Sequence, residues 1–270
     1  MAQPQSRWVR FKRFLKRNMT PTWAKHFSYQ VFSFLVSVAM VIGVANYAIT
    51  RSYDERKLTF VDGFTITAHT GAFNTNQNSL EAVQAAIDHQ VEAMEIDVRQ
   101  RPNGILVMAH DLVVKNSDGV PLADAFALLE PTAIRLNLDI KETKVLGALH
   151  DLLVEYNLYD RVNAVKASTC RDLPYYLNYI PSRFQIFSAD YQQRLLKILE
   201  ESGAIGLNCN YKHVGGRLSN FLHKNGYKLS VWTVDRRDTM KRILVAKPDN
   251  ITTKQYDKLQ DVIARWGKNK

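Results

Sequence analysis

From residue 64 onward, short β-rich runs alternate with segments of helical period, and that alternation constrains the fold more than any other feature of the chain. The runs are FTITAH (64–69), EAMEIDV (92–98), GILVMAH (104–110), AIRLNLDI (133–140), RVNAVKA (161–167), RFQIFS (183–188), AIGLNCN (204–210), KLSVWTV (228–234) and DNITT (249–253). Helix-period stretches lie between most of them. NSLEAVQAAIDHQ (78–90) opens on Asn78, read as the N-cap, with Glu81 three residues on. YQQRLLKILEESG (191–203) closes on Gly203. Eight or nine strands alternating with helices predict a parallel α/β sheet. A (β/α)8 TIM barrel uses eight such units, whereas an open doubly wound sheet uses fewer. After the first run, AHTGAFNTNQN is neither a GxGxxG turn nor a P-loop. The expectation is a compact TIM barrel over residues 64–270, entered through a linker at 51–63.

Residues 27–50 carry no charged side chain. At about 1.5 Å per residue they can span a hydrocarbon core of about 30 Å. The apolar stretch is longer than the h-region of a signal peptide, and ANYA (45–48) is a poor cleavage site. The expectation is a single uncleaved transmembrane helix. Residues 1–26 hold seven Lys/Arg (Arg7, Arg10, Lys12, Arg13, Lys16, Arg17, Lys25) and no acid, leaving +3 of the net +10 for the rest of the chain. That bias places the basic tail in the cytoplasm and the domain outside it, at the cell membrane. Trp8, Phe11, Phe14 and Leu15 interleave with the basic residues, a pattern open to an amphipathic helix on anionic lipid or to a plain solvated tail. Because the charge sits in the tail, the high pI does not imply a nucleic-acid partner. The two cysteines, Cys170 and Cys209, match no zinc or redox spacing; a disulfide and two buried thiols both remain open.

The run EAMEIDV places Glu95 and Asp97 inside an apolar segment. Side chains alternate along a strand, so the two acids share one face, while Met94, Ile96 and Val98 share the other. In a barrel the apolar face meets the helices and the acids face the axis near the C-terminal mouth, where such folds build their sites. Carboxylates that close repel unless a cation holds them, and oxygen-only ligands suit Mg²⁺ or Ca²⁺. His69 ends the first run and His110 ends the third. Asp139 and Lys141 share a face at the end of AIRLNLDIK. All six groups fall at or near the ends of expected strands.

Together, AHTG (68–71), QNSLEAVQAAI (77–87), EAMEIDVRQRPNGILVMAHD (92–111) and LNLDIK (136–141) resemble the glycerophosphodiester phosphodiesterase family. Its motifs run HRG, ENT, an ExD strand, a DG turn, HD and an ExK strand. LSVWTV (229–234) and KPDNITT (247–253) resemble its last two strands. The resemblance covers residues 64–254. It implies a TIM barrel, one divalent cation, and hydrolysis of a glycerophosphodiester, or a related lipid or polyol-phosphate diester, to glycerol 3-phosphate and an alcohol. It further implies His69 and His110 as the acid/base pair and Glu95, Asp97 and Asp139 as cation ligands. Lys141, Thr70 and Trp232 are then the substrate contacts.

The sequence departs from the family at the site itself. Thr70 stands where HRG has arginine, and threonine cannot make a bidentate phosphate clamp. Gln77 replaces the ENT glutamate, and Asp139 is one methylene shorter than the usual glutamate. Asn103-Gly104 replaces the DG turn harmlessly. Lys166 can be read as a replacement cation or as a surface lysine. Two other readings therefore stay open: a non-catalytic homologue that binds phosphodiester head groups, and a phospholipase-like enzyme that forms a cyclic phosphate.

Overall fold

The computed structural model describes residues 8–9, 11–13, 20–54, 56–166, 173–182 and 185–266. The chain divides into two units, Met1–Ser52 and Tyr53–Lys270.

The first unit is dominated by helix α1, Pro21–Asp54, which contains the expected span 27–50. Pro21–Tyr53 is long and apolar enough to cross a membrane, a criterion that a signal sequence near an N-terminus also meets. Its hydroxyls bond back to their own helix: Ser28 to Lys25 O, Ser37 to Ser33 O and Thr50 to Asn46 O. That is how a helix carries serine and threonine without an outside partner. Trp23 and Phe27 stack near its start. Arg7, Arg10, Phe14, Leu15, Lys16 and Arg17 lie outside the described residues.

The second unit is an α/β sheet wrapped by helices. Its strands are β1 Thr65–Ala68, β2 Ala93–Gln100, β3 Leu106–Met108, β4 Val120–Pro121, β5 Arg135–Ile140, β6 Val162–Lys166, β7 Tyr175–Asn178, β8 Gly206–Asn210, β9 Lys228–Trp232 and β10 Asn250–Thr253. The helices are α2 Leu80–Asp88, α3 Leu122–Leu129, α4 Leu146–Glu155, α5 Ala189–Ser202, α6 Gly216–Lys224, α7 Arg237–Ala246 and α8 Tyr256–Ala264. Parallel pairing runs β2–β5–β6–β7–β8–β9–β10–β1. β1 also pairs in parallel with β2, through Thr67↔Ala93 and Ala68↔Met94.

The two faces of these strands differ as period-2 alternation requires. Ile66, Met94, Ile96, Leu136, Leu138, Leu207, Leu229, Val231 and Ile251 join one buried cluster with helix residues such as Phe126, Leu149, Leu195 and Leu259. The opposite face is polar and still buried. Asn137 Nδ2 donates to Thr67 Oγ1 (2.6 Å), Thr67 Oγ1 donates to Asn250 Oδ1 (2.7 Å), and Asn250 Nδ2 donates to Ser230 Oγ (3.0 Å). Thr67 on β1 and Asn137 on β5 meet although β2 runs between their strands, so the sheet curls with this face inside. Gly206 is required where β8 meets β9, since a Cβ there would lie 2.1 Å from Lys228 O.

Several sequence expectations are corrected. The described part of the 183–188 run is not a strand: Gln185–Phe187 forms a 3₁₀ turn, with Gln185 N donating to Ser182 Oγ (3.2 Å), and residues 183–184 lie outside the described residues. β7 takes that place in the sheet, built from Tyr175–Asn178 after Pro174. The 104–110 run is a strand, but it folds back on β2 antiparallel, with Val98↔Met108 in register, outside the parallel series. The cap of α2 is Ser79, whose Oγ accepts from Ala82 N (3.1 Å), and not Asn78. Gly203 ends α5 in the left-handed conformation as expected. Cys209 is buried and burial pushes its thiol up to about 12. Cys170 and the side chain of Lys166 lie outside the described residues.

Candidate active site

The C-terminal ends of β1, β2 and β5 bring five of the expected residues together. Asp97 and Asp139 are direct register partners on neighbouring parallel strands, and Glu95 lies one inward position earlier, opposite Asn137. Glu95 and Asp97 are 5% and 3% exposed. Lys141 follows the end of β5, where its N–H donates to Val98 O (3.1 Å). Its Nζ sits 2.9 Å from Asp97 Oδ1 and 2.7 Å from Asp139 Oδ2. Burial pushes Asp97 upward, but the Asn78 hydrogen bond, then Lys141 and the charge of His110, hold it below the ordinary carboxylate value. Burial likewise pulls Lys141 down, yet Asp139 and Asp97 outweigh it and raise the ammonium above its ordinary value.

Asp97 has a second neighbour that sequence reasoning assigned only to a helix cap. Asn78 Nδ2 donates to Asp97 Oδ2 (2.8 Å), and Asp97 N–H donates to Asn78 Oδ1 (3.3 Å). Asn78 has φ +54, a left-handed conformation that asparagine tolerates better than most residues. A signal was present in the sequence: an asparagine just before the capping serine, in a polar turn after the first strand.

Thr70, expected to touch substrate, is 3% exposed and turned inward, with its hydroxyl on Asn78. Gly71 beside it has φ +79, and a Cβ there would lie 2.6 Å from Gln77 Cγ, so the turn requires glycine. Gln77 is exposed. His69 is half-buried; its Nδ1 lies 2.6 Å from Thr70 O. A carbonyl only accepts, so Nδ1 carries the proton and Nε2 is left for chemistry, 3.7 Å from Glu95 Oε2.

His110 stands at the rim, its side chain 64% exposed, with Nδ1 2.9 Å from Asp111 Oδ1. The exposed carboxylate of Asp111 is an acceptor for that nitrogen, again leaving Nε2. Two bonds fix the backbone here: Ala109 N donates to Asp97 O (3.1 Å) and Arg99 Nε donates to His110 O (2.9 Å). A cavity of about 410 Å³ opens beside it, lined by Gln77, Asn78, His110, Asp111, Leu112 and Asp118. Trp232 ends β9 half-buried; its Nε1 is buried and meets no acceptor among the described residues.

Glu95, Asp97 and Asp139 offer oxygen donors only, the set that Mg²⁺ or Ca²⁺ takes. Among the described residues these three carboxylates meet one ammonium, that of Lys141, and a divalent cation would balance the excess negative charge. The donor set therefore fits such an ion, although among the described residues no three His, Cys, Asp or Glu side chains stand ready as a cluster.

No family model matches the sequence. A glycerophosphodiester phosphodiesterase of Caldanaerobacter subterraneus subsp. tengcongensis is 25% identical over 244 residues, covering 75% of this chain and 98% of that protein. Among solved structures, a glycerophosphodiester phosphodiesterase from Parabacteroides distasonis is similar with a TM-score of 0.61 at 19% identity, covering 76% of this chain and 98% of that one. An Oleispira antarctica phosphodiesterase in complex with the product sn-glycerol-3-phosphate has a TM-score of 0.61 at 19% identity, covering 74% and 96%. The second unit thus shares the α/β fold of these phosphodiesterases.

Proposed function

We propose that the chain is a phosphoric diester hydrolase that cleaves glycerophosphodiesters to glycerol 3-phosphate and an alcohol, on a (β/α)8 barrel. One observation carries this reading: His69, Glu95, Asp97, Asp139 and Lys141 gather at the same ends of β1, β2 and β5, with His110 at the rim beside them. The named phosphodiesterases among its relatives and structural neighbours support it. The pairing of β1 with both β10 and β2 supports the barrel.

A phosphodiester anion resists attack until its charge is offset. Glu95, Asp97 and Asp139 would hold one Mg²⁺ or Ca²⁺, which when bound would supply that offset. Lys141 exchanges part of its bonding to the aspartates for a phosphoryl oxygen. One of His69 and His110 is neutral and takes a proton from the nucleophile; the other is cationic and gives one to the leaving oxygen. Each acts through Nε2, because Nδ1 is held by Thr70 O or by Asp111. Trp232 contributes its indole N–H to substrate.

Purified full-length protein, offered a panel of glycerophosphodiesters, should release glycerol 3-phosphate and stop when a chelator is added. Calcium or magnesium binding without any product would overturn the hydrolase in favour of a non-catalytic head-group binder. A cyclic phosphate product would instead identify an internal hydroxyl as nucleophile.

In the same reading α1 anchors the domain in the cell membrane, with residues 1–26 cytoplasmic. Protease added to intact cells should then remove the domain. Cleavage seen only after lysis would reverse the orientation.

A further inference from the structure

We infer that Thr70 is a positioning residue, whose hydroxyl acts through Asn78 to fix the carboxylate of Asp97. This rests on the hydrolase reading only for its kinetic consequence. The sequence alone casts Thr70 as the remnant of a lost phosphate clamp. Its surroundings give it other work.

The Thr70 hydroxyl is spent on one neighbour. Oγ1 accepts from Asn78 N–H at 2.6 Å and donates to Asn78 Oδ1 at 3.3 Å. Thr70 is buried at 3% exposure, with both hydrogen-bonding roles of its hydroxyl taken by Asn78. Asn78 is itself 9% exposed and left-handed, with φ +54. A left-handed conformation costs a non-glycine residue free energy, so it persists where bonds to the surroundings hold it. The 2.6 Å bond from its N–H is one such bond.

The carboxamide of Asn78 is then set by its partners. Oδ1 receives two donors, the Thr70 hydroxyl and Asp97 N–H, while Nδ2 gives to Asp97 Oδ2. A flipped amide would put oxygen against the carboxylate and –NH₂ against an N–H, so only one orientation satisfies all three groups. Asp97 Oδ2 is held by Asn78 and Oδ1 by Lys141. With one partner on each oxygen, the carboxylate plane has no freedom. The chain of control therefore runs from the turn after β1, through residue 78, to the acid on β2. Partners that orient ligating groups in this way typically change affinity or activity by about 10–100-fold when removed.

The backbone of Thr70 supplies an internal control. Its carbonyl accepts from His69 Nδ1, a bond that a side-chain substitution at 70 leaves in place. Changes seen on removing only the hydroxyl report on the Asn78–Asp97 arm.

The test compares full-length wild type, Thr70→Val and Thr70→Ser. Valine keeps the shape and removes the hydroxyl; serine restores it. Thr70→Val should lose about 10–100-fold in kcat on glycerophosphocholine with KM nearly unchanged. Calorimetric titration with Mg²⁺ and Ca²⁺ should show a similar loss of cation affinity, and Thr70→Ser should recover both. Wild-type kcat and cation affinity in Thr70→Val, or a serine variant as impaired as the valine one, would overturn the proposal. If the wild type releases no glycerol 3-phosphate, the hydrolase reading falls and calorimetry still decides the role of Thr70. If it binds no cation either, a crystal structure of Thr70→Val decides: Asn78 and the Asp97 carboxylate displaced supports the proposal, and both unmoved overturns it.

Discussion

Replacing Lys141 with methionine is expected to abolish turnover and to destabilise the domain by about 3 kcal/mol at neutral pH. Asp97 and Asp139 are register partners on adjacent strands, whose backbones stand about 4.8 Å apart. The ammonium at 2.9 and 2.7 Å reconciles them. Methionine fills the same space and removes the ammonium that stands between two facing carboxylates. Removing one partner of a buried ion pair costs about 3–5 kcal/mol. The lower end applies because the Lys141 and Asp139 side chains are 18% and 17% exposed.

The pH dependence follows from the directions of the shifts. Asp97 is held below its ordinary 3.8, so the stability it contributes is present above that value and lost as pH falls through its folded value. Lys141 is raised above 10.5, so its contribution is present below 10.5 and lost as pH rises through its folded value. The deficit of Lys141→Met should therefore be widest between these limits and close in acid, as the carboxylates protonate. Added Mg²⁺ or Ca²⁺ should recover part of it, up to about 2.7 kcal/mol at a hundred times its Kd. Urea unfolding across pH, with and without the ion, measures all of this. Wild-type stability in the variant would mean that Lys141 is not what holds the two aspartates together.

How much of this was visible in the sequence depends on the range of the interaction. The strands of the parallel sheet were legible because alternation of faces is a local property: Glu95 with Asp97, and Asp139 with Lys141, each share a face at a spacing of two. The hairpin at Asn103-Gly104 is legible as a turn, and a tight turn returns the chain antiparallel, so 104–110 cannot join the parallel series. RFQIFS reads as a strand by composition, yet Gln185–Phe187 forms a 3₁₀ turn, with Ser182 Oγ accepting from Gln185 N. β7 was missed because its four residues follow Pro174 with no flanking helical pattern. Lys141 lies just past the end of β5, sharing the face of Asp139 as the sequence indicates, while its partners depend on the register of β2 against β5, which no single segment specifies. The Thr70–Asn78–Asp97 chain was least legible of all. It joins three separate stretches and turns on a left-handed residue, which composition does not reveal.

His69→Ala and His110→Ala should each lower turnover by about 10²–10⁴-fold while the domain stays folded. Both rings show the same arrangement from different surroundings. His69 gives its Nδ1 proton to Thr70 O and keeps Nε2 near Glu95; His110 sets Nδ1 against Asp111 and keeps Nε2 at the rim. Diester hydrolysis needs one proton removed and one delivered, so either loss halts the same reaction. The double variant should consequently fall little below the worse single one, since groups acting as a unit are strongly non-additive. Stability should respond differently. His110 is mostly exposed, and its removal should shift unfolding little; His69 is half-buried against Glu95, and its removal should cost more. Steady-state kinetics of the three variants, run beside thermal unfolding, separates the two effects. A single variant with near-normal turnover would remove that histidine from the chemistry. A double variant slower by the product of the two single losses would mean that the rings act independently rather than as an acid/base pair.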